Sequence, residues 1–132
     1  MKPTHKTKMS AGADLTASES VEIEAGCTVL VGTGYKLEEK HRVRGYINGL
    51  VYMLFIRSSL AFKRGLSLAN GVGVIDADYK DEIKVMLTNH GDEPVCIVKG
   101  ERIAQIVPMA YYKGFFDVEN TERVGGIGST GE

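Results

Sequence analysis

The sequence predicts a single all-β domain of the sandwich, jelly-roll or barrel type that carries one short helix. Apolar and polar residues alternate with period two in several segments, as expected of strands that bury one face. Turn signals rich in glycine and asparagine separate these segments at roughly 8–12-residue spacing, which is typical of such folds. The 132 residues are 43% hydrophobic and include sixteen glycines, which suits one packed domain with many turns.

Each strand has its own signal. Alternation marks Val21–Glu24 and Glu82–Val85, and the β-branched residues Val29, Val31, Ile97 and Val98 mark two further strands. Seven consecutive apolar residues, Leu50–Ile56, predict a central strand buried on both faces. The chain therefore contains enough short strands for two packed layers.

One segment departs from this periodicity and predicts a helix of about two turns. It begins with the hydroxyl residues Ser58 and Ser59, which suit an N-cap, and ends with two basic residues and Gly65. Glu122–Glu132 contains four glycines and no periodicity. We expect residues 1–121 to form the β domain and 122–132 to form a flexible arm.

Composition excludes several classes of protein. The formal net charge of −1 argues against direct nucleic-acid binding, and no run approaches the roughly 18 apolar residues of a membrane span. The first ten residues lack the apolar stretch of a signal peptide. Cys27 and Cys96 are too few for a disulfide scaffold or a four-ligand zinc site. We expect both cysteines in the core, and a cytoplasmic protein (in the host cytoplasm if phage or viral) that is not secreted.

Two glycine- or hydroxyl-containing segments suit a phosphorylated ligand. Arg57, Ser58 and Ser59 lie where the central strand meets the helix, and N–H groups at a helix N-terminus attract phosphate oxygens. The simpler interpretation is an ordinary N-cap with a surface arginine. Gly125–Gly131 could order over an anion with Arg123 as its anchor, although it lacks the lysine and helix of a P-loop.

Gly71–Tyr79 combines glycines with carboxylates. Asn70 and Gly71 form a hairpin turn signal, so the segment is expected to return as a strand that carries Asp76 and Tyr79. A carboxylate beside open backbone could act as a general base or associate with a metal. The alternative is a turn with solvated aspartates.

The remaining polar signals are weaker. Gly100–Gln105 predicts a turn that leads into a strand, where Arg102 and Gln105 are either pocket donors or members of an edge-strand ion pair. No metal-ligand spacing connects the three histidines, and we expect them at the surface. They are His5, His41 and His90.

Taken in order along the chain, these motifs resemble the five motifs of the trimeric dUTPases. The resemblance implies a distorted, jelly-roll-like, all-β homotrimer that hydrolyses dUTP to dUMP and pyrophosphate with Mg²⁺. It also implies that three subunits build each site and that the C-terminal arm closes over it, so that a monomer is inactive. The matching segments are Ala11–Leu15, Arg57–Ala61, Gly73–Tyr79, Gly100–Gln105 and Gly125–Gly131.

The resemblance implies a role for each matching residue. Asp76 is expected to orient the attacking water and hold the sugar 3′-hydroxyl, and Tyr79 to lie under the deoxyribose and exclude a 2′-hydroxyl. Asp14 is expected to hold the water shell of Mg²⁺ without ligating the ion directly. Further substrate-binding residues are Asn70 and Gly73 for the uracil, Ser58, Ser59 and Gln105 for the phosphate chain, Arg57 and Arg123 for its terminal part, and Ile127, Gly128 and Ser129 in the arm.

The chain also departs from the family pattern. Ile56 stands where proline is usual, Asp81 where glycine is usual, and Lys40–Leu50 is longer than usual. The last motif is one residue short, and Ile127 replaces the aromatic residue, usually Phe, that stacks on uracil. We expect a weaker grip on the base or an aromatic ring supplied from elsewhere, among Tyr111, Tyr112, Phe115 and Phe116.

Two other functions stay open at this point. The altered last motif is compatible with a dUTPase-like regulatory protein that binds nucleotide with little turnover. A dCTP deaminase shares the fold and the Arg-Ser-Ser turn, but its catalytic Glu falls at Met86, and methionine cannot transfer protons.

Overall fold

The computed structural model describes residues 2–42 and 48–119. In these ranges the chain forms ten β-strands and one α-helix, which confirms an all-β fold with a single short helix. The elements are β1 (Thr4–His5), β2 (Ala13–Thr16), β3 (Val21–Ile23), β4 (Thr28–Gly32), β5 (Asn48–Ile56), α1 (Ser58–Arg64), β6 (Leu66–Leu68), β7 (Gly73–Asp76), β8 (Lys84–Asn89), β9 (Val95–Ile97) and β10 (Arg102–Tyr112), with a 3₁₀ turn at Glu39–His41.

The strands form three antiparallel sheets. A five-stranded sheet has the order β1-β2-β10-β5-β7, a three-stranded sheet has the order β4-β8-β6, and β3 pairs with β9. The central pair, β5 and β10, is joined by nine consecutive residue pairs from Ala104↔Ile56 to Tyr112↔Asn48. Neighbours in a sheet are mostly distant in sequence, as in jelly-roll folds, so the long apolar strand is held by residues half the chain away.

The core lies between the sheets and takes side chains from all of them. In β8 the alternate residues Val85 and Leu87 are fully buried, as period-two packing requires. The largest fully buried apolar side chains are Leu15, Ile23, Val31, Leu66, Ile83, Val85, Leu87, Ile97 and Ile103. The buried polar residue Asn89 donates to the carbonyls of Ile23 and Glu93, so its amide is not left unpaired in the core.

The two faces of the five-stranded sheet differ. Tyr52 and Leu54 point into the core, whereas Val51, Met53 and Phe55 are half-buried on the opposite side. The prediction that Leu50–Ile56 is buried on both faces is therefore wrong within the described part of one chain. Among residues 2–42 and 48–119, no second layer covers the opposite side, which we call the outer face. It consists of Val51, Met53, Phe55, Val74, Asp76, Gln105, Val107, Met109 and Asp14, as the strand register shows.

The helix forms where the sequence predicts it, but its N-cap differs. Arg57 occupies the N-cap position with extended backbone, and its carbonyl accepts the N–H of Leu60. Ser58 and Ser59 lie in the first turn and make no side-chain cap, so the cap prediction is wrong. Gly65, at φ +65°, ends the helix in the left-handed conformation that glycine adopts without steric cost.

The predicted hairpin after Leu68 is also wrong. Asn70 and Gly71 do form a turn, with Gly71 at φ +73°. However, β6 before the turn pairs with β8, whereas β7 after it pairs with β5. The turn carries the chain from one sheet to another, and Tyr79 lies beyond the end of β7.

Both cysteines are exposed, which contradicts the expectation that they belong to the core. Cys96 lies on β9 between two residues that face the other way, so alternation turns it outward. Cys27 precedes β4 in a turn. Within residues 2–42 and 48–119, no helix is long and apolar enough to cross a membrane.

Candidate functional site

The first set of predicted site residues meets where β5 turns into α1. Asp14 on β2 and Gln105 on β10 are direct neighbours in register, and the same row continues to Phe55 on β5. Two residues further along, Arg57 begins the helix that carries Ser58 and Ser59. We call Asp14, Arg57, Ser58, Ser59 and Gln105 the helix-end group.

Asp14 also has a charged neighbour. Its Oδ2 lies 3.4 Å from Nη1 of Arg102, and only 16% of the Asp14 side chain is exposed. Of the two alternatives for Arg102, pocket donor or ion-pair partner, this chain shows the ion pair. The carboxylate therefore lies beside a cation and beside Gln105 on one surface.

Gly12 gives the Gln105 side chain its space. A Cβ atom at Gly12 would lie 2.4 Å from Oε1 of Gln105 and 2.9 Å from its Cβ. Such distances are far below van der Waals contact, so any larger residue displaces the Gln105 carboxamide. The sequence motif contains Gly12, but only the paired strands show which side chain requires it.

The second set of residues surrounds the end of β7. Asp76 is the last residue of β7, opposite Val51, and its side chain is exposed on the outer face. The N–H of Tyr79 donates to the Asp76 carbonyl at 3.0 Å and closes a turn. We call Asn70, Gly73, Asp76 and Tyr79 the turn group.

Contacts with neighbouring residues hold the turn group in place. The Tyr79 side chain is 8% exposed, and its hydroxyl donates to the Glu82 carbonyl at 3.2 Å. A Cβ atom at Gly73 would lie 2.9 Å from Cβ of Leu54, so glycine allows β7 to approach β5 closely. Asn70 is exposed, and its carbonyl accepts the N–H of Val72 at 2.8 Å.

One chain does not bring the two groups together. Asp76 and Gln105 lie on the same face, but they are two strands and four residues apart. The spacing between strands and the rise per residue place their Cα atoms about 16 Å apart. This distance is too great for both side chains to contact one phosphorus atom. The described residues of one chain therefore hold two partial sites.

A cavity of about 480 Å³ among the described residues lies elsewhere, on the core side of the sheet. Tyr35, Glu38, His41 and Tyr52 are among its lining residues, and none of the predicted site residues is. Burial raises the pKa of Tyr35, with a further contribution from the Glu38 carboxylate, and burial also raises the pKa of Tyr52. These shifts stabilise neutral tyrosines and supply no catalytic group.

Several predicted residues lie outside the described ranges. They are Arg123, Ile127, Gly128 and Ser129 of the arm and residues 43–47 of the long segment. The aromatic residues suggested as substitutes at the uracil are exposed at and after the end of β10, at 48% for Tyr111, 81% for Tyr112, 76% for Phe115 and 81% for Phe116.

Two charged residues had no role in the sequence prediction. Arg64, in the last turn of α1, contacts Glu101 at the start of the fourth motif, with Nη1 and Oε2 2.5 Å apart. The available signal was a basic residue at a helix end and an acidic residue in a turn. No local pattern shows that the two meet.

Comparison with known proteins identifies relatives over the whole length. A family model described as dUTPase matches residues 1–131. A deoxyuridine 5'-triphosphate nucleotidohydrolase of Desulfitobacterium hafniense is 43% identical over 136 residues, which cover 98% of this chain and 86% of the relative. One from Corynebacterium diphtheriae is 45% identical over 135 residues, covering 98% and 84%. The crystal structure of dUTPase from Streptococcus mutans matches with a TM-score of 0.71 and 36% identity, over 89% of this chain and 88% of that one.

Proposed function

The chain belongs to the dUTPase family and hydrolyses dUTP to dUMP and pyrophosphate, and we propose that copies of the chain assemble its active site between them. The observation that carries the proposal is the strand register, which puts Asp76 and Gln105 two strands and four residues apart, about 16 Å at ordinary strand spacing. The turn group of one copy would then face the helix-end group of another. With the arm of a further copy, three chains share each site in a homotrimer.

The outer face supports this assembly. Met109 is 47% exposed and lies opposite the half-buried Val51, and Val74 is 63% exposed and lies opposite the half-buried Met53, on one apolar surface. Apolar patches of this kind mark contact surfaces, because leaving them in water forfeits the free energy of burial. The same face carries Asp76 and Gln105, so an interface there brings site residues of different copies together.

Asp76 is the residue that we propose as the general base. A carboxylate exposed at the end of a strand can accept a proton from water as that water attacks the α-phosphorus. The Tyr79 N–H bond to the Asp76 carbonyl holds the backbone at this point. The carboxylate would also accept a hydrogen bond from the 3′-hydroxyl of the sugar. This bond would place the nucleoside beside the attacking water.

The turn group supplies selectivity for the nucleoside. The hydrogen bond from the Tyr79 hydroxyl to the Glu82 carbonyl holds the ring in place. With the ring under the sugar, it cannot move aside to make room for a 2′-hydroxyl. Backbone groups from Asn70 to Gly73 would pair with the uracil edge, and cytosine would leave them unpaired. Unpaired buried polar groups cost enough to give strong discrimination.

The helix-end group binds the phosphate chain in this proposal. Gln105 and Ser58 donate to phosphate oxygens, with Ser59 beside them, and Arg57 contacts the terminal part as a charge-assisted donor. We also predict that the arm contributes to this site through Arg123, Ile127, Gly128 and Ser129. The two arginines, Arg57 and Arg123, would offset the negative charge of the leaving pyrophosphate.

Replacing Gly12 by Ala should lower kcat/KM for dUTP about ten- to a hundredfold, because displacement of a substrate-contacting group by about 1 Å costs this much. The cause would be the Gln105 carboxamide, which the new Cβ would displace. Steady-state kinetics of pyrophosphate release measure the effect.

A double variant isolates that cause. If Gly12→Ala acts through the Gln105 side chain, adding it to Gln105→Gly, which removes the Cβ as well as the carboxamide, should produce no further loss. Additive losses would show that Gly12 acts through something other than the Gln105 side chain.

The donor set fits Mg²⁺ held through water. Among the described residues, no three His, Cys, Asp or Glu side chains come together as a metal site. Mg²⁺ commonly keeps several waters and takes one or two carboxylates with substrate phosphates, so Asp14 alone suffices on the protein side. When bound with the nucleotide, the ion would neutralise phosphate charge. Asp14 would orient its water shell, while Arg102 holds the carboxylate in place.

The alternatives are less favourable. Met86, at the position of the deaminase Glu, lies in β8 of the three-stranded sheet, and its thioether cannot transfer a proton. A regulatory protein without turnover has no need of Asp14, Asp76, Tyr79 and Gln105 together. The cytoplasmic location stays a prediction.

A nucleotide panel tests the proposed function directly. With Mg²⁺ present, we expect pyrophosphate release from dUTP and none above background from UTP, dCTP or dTTP. Binding of dUTP without release would favour the regulatory alternative. Comparable release from UTP would contradict the role of Tyr79.

A further inference from the structure

A charged clamp holds the C-terminal end of α1. Nη1 of Arg64 lies 2.5 Å from Oε2 of Glu101, and the two side chains are only 30% and 26% exposed. The second guanidinium nitrogen, Nη2, donates to the Cys96 carbonyl on β9. Arg64 therefore uses two of its fixed donors to connect the helix to the turn between β9 and β10.

Glu101 extends the clamp to two further segments. Its Oε1 accepts the N–H of Val98 at 3.0 Å, which closes the β9–β10 turn. Its main-chain carbonyl accepts the N–H of Ala17 at 2.9 Å, just after β2. One residue thus connects α1, β10 and the end of β2.

Those three elements carry the helix-end group. Asp14 lies on β2, Gln105 follows Glu101 by four residues on β10, and Ser58 begins the helix that Arg64 ends. The helix has seven residues and buries only Leu60, so neither its length nor its packing determines its orientation strongly. The Arg64–Glu101 contact is the charged connection between the helix and the strand that carries Gln105.

We propose that Arg64 and Glu101 are positioning residues for the phosphate chain of the substrate. By orienting α1 against β10, they hold Ser58 at the correct distance from Gln105 and Asp14. The inference rests on the proposed function only in assigning the helix-end group to the phosphates. A clamp of this kind influences binding of the triphosphate and leaves recognition of the nucleoside by the turn group unaffected.

The test compares two ligands on the full-length protein. A non-hydrolysable dUTP analogue probes both groups of residues, and deoxyuridine probes the turn group alone. In Arg64→Ala and Glu101→Ala, we expect affinity for the analogue to fall about tenfold, as misplaced contacts predict, while affinity for deoxyuridine stays within about twofold. Arg64→Lys keeps the charge and one donor, and it should recover part of the loss.

Glu38→Gln is the control. Glu38 also forms an ion pair, with 3.3 Å between its Oε1 and Nζ of Lys2, but this pair is not part of the helix-end group. This variant should bind both ligands as the unaltered chain does. Thermal midpoint and oligomeric mass are measured for every variant, and Arg64→Lys keeps the test decisive if an alanine variant does not fold.

Two results would overturn the inference. One is an unchanged affinity for the analogue in folded Arg64 variants, and the other is an equal loss for both ligands, which indicates general destabilisation. Failure of the proposed function has a different signature, since the unaltered protein would then release no pyrophosphate from dUTP. The binding comparison needs no turnover, so it tests the clamp in either case.

Discussion

Asp76→Asn should abolish dUTP hydrolysis, with turnover at saturating substrate about 10²- to 10⁴-fold lower, the range expected on removing a general base. The amide of Asn keeps the shape of the side chain but cannot accept a proton from the attacking water. Pyrophosphate release measures turnover, and calorimetry with a non-hydrolysable analogue measures binding. We expect binding to survive, because Asn can still bond the 3′-hydroxyl and the other groups are unchanged.

Asp81→Asn is the control for this variant. Asp81 is exposed, follows the same turn and has no assigned role, so its replacement should leave turnover unchanged. If Asp76→Asn kept a tenth or more of the activity, another residue would have to activate the water. Thermal midpoint and mass are measured together with turnover. If Asp76→Asn unfolded or dissociated, that change would explain the lost activity, and the role of Asp76 as general base would lose its support.

Met53→Glu should convert the proposed trimer into monomers without measurable turnover. Met53 lies at the centre of the outer face, between Val74 on β7 and Val107 on β10. Burying a carboxylate there in an apolar contact without a partner costs several kcal/mol, whereas the monomer leaves it in water. Light scattering coupled to size-exclusion chromatography gives the mass, and pyrophosphate release gives the activity. An active monomer would refute the shared site.

Met9→Glu is the matched control, because this methionine is 93% exposed and should tolerate the same change. Mixed trimers provide a second, independent check. Asp76→Asn and Gln105→Ala chains are each expected to be strongly impaired, but co-refolded together they should regain activity at about a quarter of the sites, where intact groups from different copies meet. No recovery in mixed trimers would mean that each site uses both groups from one chain.

The strands and the helix could be predicted because their signals are local. Alternation at Val21–Ile23 and the basic residues before Gly65 depend on neighbours in sequence, and the structure has the expected strand and helix at those positions. The same logic misplaced the cysteines, since a residue such as Cys96 can follow a strand pattern on its outward face. Periodicity shows that a strand has two faces without showing what covers each of them.

The candidate site follows the same division. Local motifs sufficed to single out Arg57, Asp76 and Gln105 as candidates, and the resemblance to the dUTPase motifs added Asp14. Their grouping depends on strand register, which pairs Asp14 with Gln105 across about ninety residues of chain and leaves Asp76 two strands away. Residues distant in sequence have no local pattern that records their pairing.

The sequence by itself therefore determined the fold class and the short helix, because local side-chain type and spacing are sufficient for them, and the order of its motifs, by resemblance to the dUTPases, supplied the candidate site residues. Only the tertiary structure decided which of these residues are neighbours, that Gly12 leaves space for Gln105, and that Arg64 meets Glu101. It also showed that the described part of one chain leaves the outer face of the central sheet without a covering layer. The physical reason is that contacts between strands depend on non-local register and on what packs over each face.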